Sequence, residues 1–136
     1  MACRAAAAIA LAILLDACSS TGPVAEALLT PAQGAITTGR AVFEQRENGI
    51  RVVAHVAGLG AGTYGMHLHE KADCSVAVDT RVPALSMAIS DAYGNAKFDA
   101  VVPGLTLQGD KSIAGKVVTV RTAPGPHLAC GVVVKQ

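Results

Sequence analysis

From residue 34 to the C-terminus, no stretch of this 136-residue chain repeats its apolar residues with a helical period. Short runs instead alternate apolar and polar residues and are cut by glycine, proline and Asn/Asp turns, a pattern that half-buried strands produce. Residues 39–45 (GRAVFEQ) and 50–57 (IRVVAHVA) flank RENG, whose Asn48-Gly49 is a hairpin signal. In the second run Ile50, Val52, Ala54 and Val56 share a face that should point inward. His55 falls on the opposite face with Arg51 and Val53, where a lone histidine reads as a surface residue. Further strands are expected at 64–70, 83–90, 96–102, 112–122 and 128–134. Between them lie a glycine-rich connector at 58–62, a loop at 74–82, a turn at 91–95 and a connection at 103–110 that buries Leu105 and Leu107. Seven or eight antiparallel strands, spaced about ten residues apart, predict an all-β sandwich or Greek-key barrel.

With two phenylalanines, two tyrosines and no tryptophan, the core must be built mainly from Val, Ile, Leu and Ala. A net charge of +1 with both signs interspersed leaves no electrostatic footprint for nucleic acid or an anionic membrane surface.

The N-terminus follows different rules. Arg4 is the only charge before an apolar run over residues 5–15, too short to span a bilayer and of the length of a secretory hydrophobic region. The following Leu15-Asp16-Ala17-Cys18 resembles the lipobox of bacterial lipoproteins, with Asp16 a departure from the small or apolar residue usual there. This predicts a signal peptide over 1–17 and a lipid on Cys18. The product would be a periplasmic protein anchored in a membrane, with Ser19 pointing to the outer one. Residues 18–33 then read as a tether with a possible first strand or short helix at 24–29, and 34–136 as the folded domain. Export leaves Cys74 and Cys130, which in an oxidising compartment read as one disulfide worth roughly 4 kcal/mol, with two thiols serving a metal as the alternative.

The chemistry concentrates in GMHLHEKADCS, residues 65–75. On a strand His67 and His69 point to the same side, where two imidazoles can reach one metal ion, although such sites usually have three or four ligands.

Three segments, GMHLHEKADCS, LQGDKSIAGKVVTV (107–120) and HLACGVV (127–133), together resemble the copper/zinc superoxide dismutase family. The resemblance runs in register from about Gly39 to the end, taking in GRAVFEQ and DAYGNAKFD. It implies an eight-stranded Greek-key barrel and a bridge between Cys74 and Cys130. It also implies that His67 and His69 are the first two copper ligands. The remaining ligands do not follow, for no histidine occurs between His69 and His127. Arg81 stands where the family has its zinc aspartate, Arg121 where it has the last copper histidine, and His127 where it has the arginine that guides superoxide. Zinc is therefore not expected, and copper is admissible only at a site of His67, His69 and, through a shortened loop, His127. These residues suit an envelope lipoprotein that buffers copper or exchanges it with donor and acceptor proteins without efficient dismutation. The alternatives are a copper-only dismutase, with Arg81 and Arg121 supplying positive potential, and a metal-free interaction module.

Overall fold

Alternation is carried into nine strands: β1 (Val24–Pro31), β2 (Thr38–Arg46), β3 (Gly49–Ala57), β4 (Thr63–His69), β5 (Ala84–Ile89), β6 (Ala96–Pro103), β7 (Val117–Thr122), β8 (His127–Val132) and the two-residue β9 (Val134–Lys135). The computed structural model describes residues 22–70, 74, 84–122 and 125–136. The signal segment, Cys18, Arg81 and nearly all of the 74–82 loop lie outside the described residues.

Hydrogen-bonded neighbours run β5-β4-β7-β8-β1-β2-β3-β6, with β9 added to β1. All strand pairs are antiparallel, and β5 and β6, at the two ends of this path, pack against each other. The result is a nearly closed barrel. The β3–β6, β4–β7 and β8–β1 neighbours are distant in sequence, which is the Greek-key crossover the turn spacing had suggested. Among the described residues no helix is long and apolar enough to cross a membrane.

The inner face is what period two dictates. Ile50, Val52, Ala54 and Val56 are all buried, His55 is exposed, and Phe43 and Phe98 are fully enclosed among small aliphatics. Burial of each such large side chain contributes about 1.5–3 kcal/mol, so a few large residues, Phe43, Phe98, Tyr64 and Met66, suffice among Val, Ile, Leu and Ala. The β2–β3 hairpin closes through Glu47-Asn48, with Gly49 already paired to Arg46.

Three boundaries differ from the sequence reading. The folded domain begins by Val24, not at residue 34: β1 pairs with β2 along its length and with β8 at its end, and Ala25, Ala27 and Leu29 are buried. Small alanines in VAEALLTP blur the alternation, which leaves helix and strand undistinguished until neighbours are present. The expected strand at 112–122 starts only at Val117, because Gly115, with φ of 87°, turns the chain before it. The last strand is divided, with Val133 buried between β8 and β9.

Candidate functional site

Side chains of β4 point alternately to two faces, both of them covered over most of the strand. Tyr64 and Met66 enter the core, while Gly65, His67 and His69 lie on the outer face. The β4–β7 register sets Gly65 opposite Arg121, His67 opposite Thr119 and His69 opposite Val117, so these side chains share that face. On the next ladder Thr119 pairs with Cys130, and beyond a register shift Arg121 pairs with His127. On the other side of β4, Gly65 pairs with Met87 of β5.

Although this face is outside the barrel, its polar groups are covered. His67 is 6% exposed, His69 9%, Arg121 5%, and Thr119 is fully buried. The two imidazoles have ring centroids 6.4 Å apart and planes tilted by 34°. Nε2 of His69 lies 3.0 Å from Oγ1 of Thr119, and Nη2 of Arg121 lies 3.4 Å from Nδ1 of His67. A guanidinium can only donate, so in this contact Nδ1 of His67 can only accept.

Cys74 and Cys130 are joined by a disulfide with Cα atoms 5.8 Å apart, as the cysteine count anticipated. The bridge ties the chain just after β4 to β8, beside Thr119, and so holds the end of the histidine strand against its neighbours. Lys116 Nζ to Glu70, at 3.0 Å, adds an exposed ion pair at the same end of β4.

The described residues do not by themselves assemble a site for three ligands. Among the described residues no group of three or more His, Cys, Asp or Glu side chains is placed to hold an ion. His127 does not join His67 and His69: it is half-buried on β8, and the register sets Arg121 between it and the β4 face. His55 is on the outer face of β3, opposite Lys97 of β6. The described residues thus offer a metal two imidazoles and, across the ladder, a fixed cation, which does not fit the closed sites of zinc or a four-histidine copper centre.

Sequence reasoning did not single out Thr119, Gly65 or Met87. The signal for Thr119 was a hydroxyl inside the aliphatic run VVTVRT, and for Gly65 a glycine beside a histidine in a strand that otherwise wants side chains.

Comparison with known proteins gives one clear likeness. Over 74 residues the chain is 38% identical to a Cu-Zn superoxide dismutase of Deinococcus radiodurans. The chain is superoxide dismutase-like. The matched segment is 54% of this chain and 40% of the Deinococcus protein, so the chain spans well under two thirds of that relative's length. No protein-family model matches. The superoxide dismutase-like barrel carries the GMHLHEKADCS motif on β4 and the residues that follow it, and its disulfide joins the cysteines that the resemblance paired.

Proposed function

We propose that this superoxide dismutase-like chain is an envelope protein that holds copper on its β4 face without cycling it efficiently against superoxide. The observation that carries the reading is the Arg121 guanidinium against His67, in the position where the family resemblance expects a copper-ligating imidazole. Two co-facial, buried histidines support copper binding, since imidazole suits that metal. A buried guanidinium beside them opposes a divalent ion, because at short range and low effective dielectric the repulsion amounts to several kcal/mol. Low coordination and a neighbouring cation both favour the monovalent ion and disfavour rapid alternation between oxidation states. On this reading the chain's own residues orient and cover the metal: Thr119 sets the His69 ring, and the disulfide keeps β4 against β8.

The zinc position is vacated on the same reading, with Arg81 replacing its aspartate, and the lipobox-like segment directs the protein to the periplasm with Cys18 as a lipid anchor at the outer membrane. Its partners would be envelope proteins that donate or accept copper.

Copper titration of the purified chain, paired with a dismutation assay, tests this. About one equivalent of copper should be retained by wild type and lost from His67→Ala/His69→Ala, with dismutation no faster than that of chelated copper. Robust dismutation by the copper-loaded protein would favour the copper-only enzyme. No copper retained at micromolar concentration would leave a metal-free interaction module. Separately, Cys18→Ser should shift the protein from the membrane to the soluble fraction if the anchor is real.

A further inference from the structure

On the outer face of β2, β3 and β6 the arginines are matched by carboxylates. Arg40 pairs with Glu26 of β1, Arg46 with Glu44 at 2.6 Å, and Arg51 with both oxygens of Asp99 at 3.2 and 3.0 Å. Lys97 is the exception. It precedes Asp99 by one strand period, but among the described residues no carboxylate pairs with it. Register sets Lys97 directly opposite His55 of β3, whose ring likewise has no hydrogen-bond partner among the described residues. On its other side His55 faces Arg40, which Glu26 already engages. An imidazole and an ammonium do not stabilise each other across a ladder, but both donate hydrogen bonds to one oxyanion.

His55 and Lys97 line one end of a groove of about 380 Å³. One strand period along β3 lies Ala57, small enough to leave the floor open, with Thr38 of β2 opposite it and Asn95 just before β6. The threonine hydroxyl and the asparagine amide can each donate and accept. Asp91 enters the lining from the same turn, its backbone N–H bonded to the carbonyl of Asn95, which puts the acid at the end away from Lys97. Its Oδ1 accepts the backbone N–H groups of Tyr93, at 2.8 Å, and Asn95, at 2.9 Å, so the turn itself fixes the carboxylate.

The groove thus runs from a basic end, past neutral donors and acceptors, to an acidic end. The His55 and Ala57 rows are separated by two strand residues, about 7 Å. A fully extended dipeptide also spans about 7 Å. We propose that this groove binds a small peptide-like zwitterion, with its carboxylate at His55 and Lys97, its amide between Thr38 and Asn95, and its ammonium at Asp91. A lone anion is a poorer match because Asp91 repels it, and a lone cation is poorer because Lys97 does. The site lies on β2, β3 and β6, away from the β4–β7 ladder, and is independent of the copper-holding reading.

The test is NMR titration of the full chain with glycylglycine in chelator-treated buffer. N-acetylglycylglycine, which lacks the ammonium, and glycylglycinamide, which lacks the carboxylate, are titrated beside it. The variants are Lys97→Gln and Asp91→Asn; an asparagine oxygen can still accept the two N–H groups of the turn, so the fold should be kept. Glycylglycine should give saturable shifts at His55, Ala57 and Asn95 at millimolar concentration, with His67 and His69 unmoved. Either blocked peptide should bind wild type at least tenfold more weakly, and glycylglycine should lose as much in either variant. Asp91→Asn should at the same time leave N-acetylglycylglycine binding no weaker than in wild type, a result that mere damage to the turn would not give. Equal binding of the three peptides to wild type, no saturation at millimolar concentration, or shifts that lie outside the groove would overturn the proposal.

Discussion

Nη2 of Arg121 lies 3.4 Å from Nδ1 of His67, both side chains buried on the outer face of the β4–β7 ladder. A cation held against the lone pair of an imidazole occupies the approach a metal would use at that nitrogen. The contact thus sets a guanidinium against one nitrogen of the buried histidine pair, inside the Greek-key frame and on the face that the disulfide borders.

Replacing the cation should reopen that approach. Arg121→His substitutes a neutral donor for a positive charge and places a third imidazole across from His67 and His69. Cu(II) affinity, measured by chelator competition, should rise at least tenfold, equivalent to about 1.4 kcal/mol. An unchanged affinity would show that the ladder does not bring position 121 within reach of a shared ion.

Thr119 sets the other ring. Its hydroxyl is 3.0 Å from Nε2 of His69, and both residues are covered. Thr119→Val keeps the shape and the strand propensity but removes the hydrogen bond, which should cost about 1 kcal/mol in urea unfolding. The His69 ring should also lose its fixed orientation, read as broadened imidazole resonances, while those of exposed His55 are unaffected.

Much of this was legible in the sequence because strands with one face buried must alternate. Ile50, Val52, Ala54 and Val56 announced both β3 and its inner face, and GMHLHE placed two histidines together on the outer one. β1 was less legible, since Ala25 and Ala27 contribute little contrast and only pairing with β2 and β8 decides the conformation. The environment of the histidines was not legible at all beyond the position of Arg121. Thr119 and Met87 reach them through the registers of two ladders, and a register is a property of strand pairs, not of either strand alone.

The disulfide closes a loop with a sequence separation of 56. Cross-links of this kind contribute typically 2–4 kcal/mol, and their loss from a small exported domain costs about 2–5 kcal/mol. Cys130→Ser, compared with wild type by urea unfolding, should show a loss in this range with little change in the slope of the transition. Because Cys74 lies a few residues beyond His69, where β4 ends, hydrogen exchange should accelerate first in the last residues of β4 and their β7 partners.

Away from the site, Arg51 of β3 and Asp99 of β6 form a surface pair with Nη2 3.0 Å from Oδ2. The hydrogen bond from Arg51, opposed by a smaller effect of burial, holds the Asp99 carboxyl below its usual range. A carboxylate whose folded pKa is depressed stabilises the fold above its unfolded pKa, and this contribution fades as pH falls through the folded value. Both groups are exposed, so the effect on global stability is small. NMR titration should place the Asp99 midpoint below that of an ordinary aspartate, and Arg51→Ala should raise it.

Gly65 is the last residue whose identity can be tested against geometry. It is not in a left-handed conformation; what excludes a side chain is the His67 ring, whose Nε2 would lie 2.7 Å from the new Cβ. Gly65→Ala should therefore force the His67 ring or the Met87 thioether aside, at a cost of about 1–3 kcal/mol typical of overpacking. Alanine has the better strand backbone entropy, which works against that cost by up to about 1 kcal/mol. A variant as stable as wild type, with an unshifted His67 ring in NMR, would mean that the ring has room to spare. A destabilised variant with a displaced His67 ring would show that the glycine is retained to seat the imidazole against the strand.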